Sequence, residues 1–185
     1  MFSNEEAPAP HAPLVVMGVS GAGKTTVGVE IALRLGRPFI DADDLHPQAN
    51  RRKMESCVPL DDSDREPWLR AVGKAISAEV QRGRPPVVAC SALKIGYREQ
   101  LRAECPDIAF VYLDGDPEII AARMSGRQHE YMPAELLPSQ LRALEPPLGD
   151  ERAIRIDIEK PVDLIVSQAI AWLRTLEPTD QEVAR

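Results

Sequence analysis

The stretch Gly18-Val19-Ser20-Gly21-Ala22-Gly23-Lys24-Thr25 constrains the fold of this chain more than any other. It fits G-x-x-x-x-G-K-[ST], a loop that cradles phosphate. Such a loop works only between a strand and a helix, and the sequence supplies both. Leu14-Val15-Val16-Met17 is a short apolar run of the kind found in buried parallel strands. After the loop, Val27, Ile31 and Leu35 recur every four residues, the spacing of a helix's inner face. The glycines let backbone N–H groups wrap an anion, and the helix N-terminus adds a positive dipole. Gly18, Ser20, Gly21, Ala22, Gly23, Lys24 and Thr25 are therefore expected to hold a nucleoside triphosphate. Lys24 would reach its β- and γ-phosphates, and the Thr25 hydroxyl would hold Mg²⁺. The plainer alternative is a glycine-rich turn that binds nothing, and the two correct flanks speak against it.

The rest of the chain alternates in the same way. Gly36 suits the position just past the first helix. Pro38-Phe39-Ile40 leads a second strand into Asp41-Ala42-Asp43-Asp44, at the end that faces the ligand crevice in open α/β sheets. Residues 46–60 read as irregular with one short helix around 50–55. Asp64-Arg65-Glu66-Pro67 is expected to open a helix, with Pro in its first turn and Leu69, Val72, Ile76 and Val80 as its apolar stripe. Pro86-Val87-Val88-Ala89-Cys90 is a third strand, followed by a basic helix with Tyr97, Arg98, Leu101 and Arg102. Residues 108–113 form strand four. A helix with Ile119, Ile120 and Ala122 then runs to Arg123, Arg127 and a loop over 128–133. Residues 134–145 read as helix, Ile154-Arg155-Ile156-Asp157-Ile158 as strand five, and Val162, Val166, Ile170 and Leu173 as the stripe of a last helix. Strands alternating with helices predict a three-layer α/β domain around a parallel sheet. The pattern alone does not order the strands.

At 185 residues the chain suits one domain, expected over 14–176, with tails at 1–13 and 177–185. The first tail is acidic and proline-rich and reads as disordered, without the basic start and apolar middle of a signal peptide. A net charge of −7 argues against broad nucleic-acid or anionic-membrane binding. No segment approaches the roughly 20 apolar residues of a membrane span. Cys57, Cys90 and Cys105 show neither pairing nor zinc spacing, so a reducing cytoplasm is expected.

A phosphate loop names the donor and leaves the acceptor open. Asp41 and Asp43 alternate at the end of strand two, so one can serve Mg²⁺ through water while the other faces the acceptor. The plainer reading, a solvated acidic turn, is the weaker one directly after that strand. Arg123 and Arg127, four apart, share a helical face and can close over the phosphates as a lid, or simply solubilise the helix. Lys94 and Arg98 share another face and can meet an anionic acceptor. His46, beside Pro47, either caps a turn or joins the acceptor contacts. Trp68 and Trp172 lie on apolar stripes and read as core.

Several blocks together resemble the gluconokinase family. They are the phosphate loop, Asp41-Ala42-Asp43-Asp44-Leu45-His46-Pro47, Asn50 with Lys53-Met54, Pro59-Leu60-Asp61-Asp62-Ser63-Asp64-Arg65-Glu66-Pro67-Trp68-Leu69, Cys90-Ser91-Ala92-Leu93-Lys94 with Tyr97-Arg98, and residues 137–147. The resemblance runs from about residue 14 to 173. It implies ATP- and Mg²⁺-dependent phosphorylation of D-gluconate to 6-phosphogluconate on a nucleoside-monophosphate-kinase-like fold, with strand order 2-3-1-4-5, a lid over about 123–145, and often a homodimer. By position it adds Thr26 to the phosphate contacts and puts Asp41 on the Mg²⁺ side. Asp43 falls where the family's acidic residue binds the acceptor and serves as base, and Arg123 and Arg127 match its lid arginines. A carboxylate with five hydroxyls makes Lys53, Lys94 and Arg98 sensible partners for gluconate. One departure is in the lid. Family members carry Gly-His before two large apolar residues, and this chain has His129-Glu130-Tyr131-Met132.

The competing enzyme is a kinase for another hydroxy acid such as shikimate, which would lack the L-H-P and P-W-L blocks. A catalytically idle nucleotide-binding regulator would be expected to lose Lys24 or the acidic pair, and both are present. Nucleic-acid binding would need a basic, aromatic stripe that 4% aromatic residues do not provide.

Overall fold

The computed structural model describes residues 11–125 and 136–176. Five strands, β1 (Leu14–Met17), β2 (Phe39–Asp41), β3 (Val87–Ala89), β4 (Ala109–Asp114) and β5 (Ala153–Asp157), form one parallel sheet in the order β2-β3-β1-β4-β5. The order inferred from resemblance is the observed one. Among the described residues, seven α-helices accompany them: α1 (Lys24–Leu35), α2 (Gln48–Glu55), α3 (Asp62–Gln81), α4 (Ile95–Glu104), α5 (Pro117–Ser125), α6 (Leu137–Ala143) and α7 (Val162–Thr175). A 3-10 turn, Ala42–Leu45, follows β2 directly.

Alternation along each strand divides the core. Val16 and Val111 face a layer with Val27 and Ile31 of α1 and Val166 and Ala169 of α7. Val15 and Phe110 face the other way, onto Trp68, Leu69 and Val72 of α3 and Leu101 of α4. The central strands are buried on both sides, which is why they read as unbroken apolar runs. With β1 in the middle, the phosphate loop lies at the C-terminal edge, flanked by the ends of β3 and β4.

Two boundaries differ from the sequence reading. Residues 12 and 13 are not tail: Ala12 is buried, its carbonyl accepts from Arg37 Nη1 at 2.8 Å, and the Pro13 carbonyl accepts the Ala109 amide at 3.0 Å. Helix α3 begins before Pro67 draws attention to it. Asp61 caps it, its carboxylate accepting the Asp64 amide at 2.9 Å while Asp64 accepts the Asp61 amide at 3.1 Å. That reciprocal pair is a capping box, and Pro67 sits inside the helix. Among the described residues no helix is long and apolar enough to cross a membrane.

Arg98, expected to meet an acceptor, is a core residue. Its side chain is 0% exposed. Nε and Nη2 donate to the two Glu151 oxygens at 2.7 Å each, and Nη1 donates to the Ala92 and Glu145 carbonyls at 3.1 and 3.0 Å. Arg102 adds a 2.7 Å bond to Glu151. The network ties α4 to the Ala92 and Glu145–Glu151 segments, and burial leaves Arg98 no surface to offer outward. Burial pushes the Glu151 carboxyl up, but hydrogen bonds from Arg98 and Arg102 outweigh it and hold the group at about 2. A depressed carboxyl contributes stability that is full above the unfolded-state pKa and is lost as pH falls through the folded one. Glu151→Ala, which strands a buried cation, is expected to cost about 3–5 kcal/mol at neutral pH. It should also remove the acid sensitivity that the wild type shows between the ordinary carboxyl range and about 2. Urea denaturation across pH checks both; a loss no larger than that of a surface substitution would mean water reaches Arg98.

Candidate active site

The donor side is built by backbone. Gly18, Gly21 and Gly23 take φ of +143°, +80° and +95°. At Gly18 an added Cβ would lie 2.8 Å from the Leu113 carbonyl, so only glycine lets the loop turn against β4. The Gly18 amide donates to the Ser91 carbonyl at 3.3 Å, fixing the loop to the end of β3. Lys24 folds back over the loop, Nζ donating to the Val19 carbonyl at 3.1 Å. Thr25 Oγ1 donates to Asp41 Oδ2 at 3.2 Å, and Asp41 Oδ1 accepts the Asp43 amide at 3.1 Å. One carboxylate thus joins the start of α1 to the turn after β2. A hydroxyl and a carboxylate side by side are hard oxygen ligands of the kind Mg²⁺ takes, one or two from protein and the rest from phosphate and water.

Across from Lys24 a cleft opens, with Asp43, His46 and Arg65 on its far wall and Met54, Pro59 and Leu60 as an apolar floor. Ser139 and Gln140 of α6 and the preceding Leu136 close a third side. His46 is buried and stacks on Trp68, ring centroids 4.2 Å apart and 12° from parallel. The Asn50 side-chain amide faces His46 Nδ1 at 3.4 Å and donates to the Asp64 carbonyl at 2.8 Å. An amide NH₂ can only donate, so Nδ1 accepts and the ring proton belongs on Nε2, 3.8 Å from Asp43 Oδ1. Burial, with Arg65 and Arg51 nearby, pushes the imidazole down to about 4. The ring is neutral and offers an N–H towards Asp43. Trp68 Nε1 donates to the Ala42 carbonyl at 2.7 Å and fastens this turn to α3. Trp68 is core, and it is also the surface on which His46 rests.

Comparison with known proteins follows this geometry. Residues 20–162 match the family pattern described as shikimate kinase. The gluconokinase of Gluconobacter oxydans is 48% identical over 157 residues, 85% of this chain and 88% of that protein. A gluconokinase structure from Sinorhizobium meliloti is 45% identical with a TM-score of 0.82, covering 92% of this chain and 95% of that one. An unliganded sugar kinase from Janibacter is 42% identical with a TM-score of 0.85, covering 89% and 95%. The chain belongs to the gluconokinase family. It lies within the wider kinase group that the shikimate kinase pattern describes. The family's L-H-P and D-R-x-P-W-L blocks, distant in sequence, are one structural unit here: they supply His46, Arg65 and Trp68 to the same wall.

The other expected acceptor contacts are otherwise engaged. Lys53 Nζ donates to both Asp64 oxygens at 2.6 and 2.7 Å. Lys94 Nζ donates to Asp62 at 2.6 Å and lies 5.4 Å from the Tyr97 ring centre, while the Tyr97 hydroxyl donates to the same carboxylate. Neither ammonium lines the cleft, and Arg98 is buried behind it. Arg123 Nη2 donates to the Ile158 carbonyl at 3.0 Å, so its guanidinium is held at the end of β5 and not over Lys24. Arg127 and the lid segment with His129-Glu130 lie outside the described residues. Two cleft residues were not singled out from sequence. In the sequence Arg65 belongs to a helix start and to the D-R-x-P-W-L block with no role of its own, and uncharged Gln140 carries no signal. Cys90 beside the cleft is inert, since burial pushes its thiol up to about 12.

A neutral His46 makes a spectroscopic prediction. Its ¹⁵N signals should report the Nε2–H tautomer throughout the neutral range and titrate near 4. A depressed imidazole favours folding at high pH, so its contribution fades as pH falls from about 6.5 toward 4. A midpoint at the ordinary histidine value would mean that the ring is solvated.

Proposed function

We propose that this chain transfers the γ-phosphoryl group of ATP to the 6-hydroxyl of D-gluconate, giving ADP and 6-phosphogluconate. The observation that carries the reading is one cleft that holds Lys24, Asp43, neutral His46 and Arg65 together. Asp43 takes the proton as the hydroxyl oxygen bonds to phosphorus and the bond to the β-phosphate oxygen breaks. His46 Nε2–H steadies the Asp43 carboxylate beside it. Lys24 and the loop amides carry the growing negative charge. Thr25 directly, and Asp41 through water, would hold Mg²⁺, which neutralises the phosphates when bound. Arg123 borders the donor side from the end of β5, and Arg127 remains assigned to the lid by resemblance.

Arg65 is the natural partner for the gluconate carboxylate. Among the described residues no carboxylate forms an ion pair with it, and its guanidinium lies 5.7 Å from the Tyr97 ring centre. Lys53 and Lys94 act at one remove, holding Asp64 and Asp62 and with them the start of α3. The match to the shikimate kinase pattern keeps shikimate, another anionic hydroxy acid, as the second reading. A homodimer follows from the family resemblance and is read by light scattering.

A coupled ADP-release assay is expected to show turnover with gluconate well above that with shikimate; no gluconate-dependent turnover would end this reading. Asp43→Asn should lower kcat by about 10²-fold or more, the usual loss of a general base, while ATP affinity stays near wild type. Arg65→Met should raise the gluconate KM by about 10- to 100-fold, as for a lost charged hydrogen bond of roughly 1.5–3 kcal/mol.

A further inference from the structure

Gln140 has no place in the mechanism above, yet its amide reaches the phosphate loop across 120 residues of sequence. Its side chain is buried at 5% exposure and lines the cleft. Oε1 accepts the Ser20 amide at 2.7 Å, and Nε2 donates to Ser20 Oγ at 3.1 Å. The orientation of the amide is fixed by chemistry, because a backbone N–H can only donate and so the oxygen must face it. Two consequences follow. The Ser20 amide is already engaged and so is not part of the anion cradle. The Ser20 oxygen has one lone pair occupied by Gln140, so its own proton must point elsewhere. Among the described residues none accepts that proton, and Ser20 shares the cleft with Lys24 and Asp43.

We propose that Gln140 is a positioning residue that acts through Ser20, turning the Ser20 hydroxyl into a hydrogen-bond donor aimed at the phosphoryl group in transit between Lys24 and Asp43. The proposal rests on the kinase reading of the cleft and is indifferent to which hydroxy acid is the acceptor. The hydrogen bonds of the Gln140 side chain among the described residues go to Ser20. A neutral amide is needed: glutamate would keep the acceptor for the Ser20 amide but would draw the hydroxyl proton to itself and set a negative charge beside the phosphates.

Four variants test this. Gln140→Leu, close in volume, and Ser20→Ala should each lower kcat about tenfold with the acceptor KM within about twofold, the size expected for one hydrogen bond to a charged group. The double variant should be no slower than the slower single, because both remove the same bond. Gln140→Glu should be at least as slow as Gln140→Leu while melting close to wild type. Without any acceptor present, the preference for a non-hydrolysable ATP analogue over ADP should fall about tenfold in each of the four. Additive losses in the double variant would overturn the proposal. So would wild-type kcat in Gln140→Glu, or equal weakening of analogue and ADP. If wild type fails with gluconate but its analogue preference still depends on Gln140, the acceptor assignment falls and this proposal stands.

Discussion

The acceptor half of the site hangs on one buried hydrogen bond, from Trp68 Nε1 to the Ala42 carbonyl at 2.7 Å. The turn that leaves β2 carries Asp41, Asp43 and His46 within six residues, and a turn this short has no core of its own. Trp68 supplies one, through its indole bond below the turn and its ring beneath His46. Breaking that bond would leave a buried carbonyl unpaired, at a cost of about 1–3 kcal/mol. It would also free the turn that sets the distance between Asp43 and the phosphate loop. Helix α3 is therefore less a packing element than a mount. From one capped start, Asp62 reaches Lys94, Asp64 reaches Lys53, Arg65 enters the cleft, and Trp68 holds the turn.

The start of α3 also explains an apparent paradox of charge. The chain carries −7, yet a kinase of sugar acids handles anions on both sides of the transfer. Its cations near the cleft are not pooled. Lys53, Lys94 and Arg98 each bind a carboxylate of the protein, so their charge is spent on architecture. Arg65 and Lys24 line the cleft itself. A site with many loose cations would hold any phosphate or acid tightly and indiscriminately. Pairing most of them leaves recognition to the position of one guanidinium, whose flat fork suits a carboxylate.

This economy is also why sequence reading served the donor side better than the acceptor side. The phosphate loop is a local motif: its glycines, Lys24 and Thr25 are legible because the backbone they form depends on its neighbours in sequence. The same holds for the apolar runs that became β1, β3 and β4, and for the stripes of α1 and α7. Lys94 and Arg98 at helical spacing promised a basic face. However, Glu151, which claims Arg98, lies 53 residues away, and no spacing rule reports a partner at that distance. Asp61-x-x-Asp64 was a readable cap, overlooked because Pro67 offered a more familiar helix start. Gln140 was invisible for a different reason. A lone amide has no charge or period, and its meaning lies only in what it touches.

Transfer to a hydroxyl in preference to water sets the last requirement, and the cleft meets it by ordinary burial. Met54 and Leu60 below and Leu136 at the side are at most 9% exposed, so a buried apolar patch faces the polar groups that line the rest of the cleft. Asp43, His46, Arg65 and Ser20 are among the polar groups that share the cleft. In such a setting each charge interaction is stronger than in water, and a misplaced one is correspondingly costly. Three of the polar groups here are each met by a second one: Asp41 by Thr25, His46 by Asn50, Ser20 by Gln140. The chemistry needs few residues. The supporting bonds that fix them make up most of the site, and they tie α1, α2, α3 and α6 into a single frame around the phosphate loop.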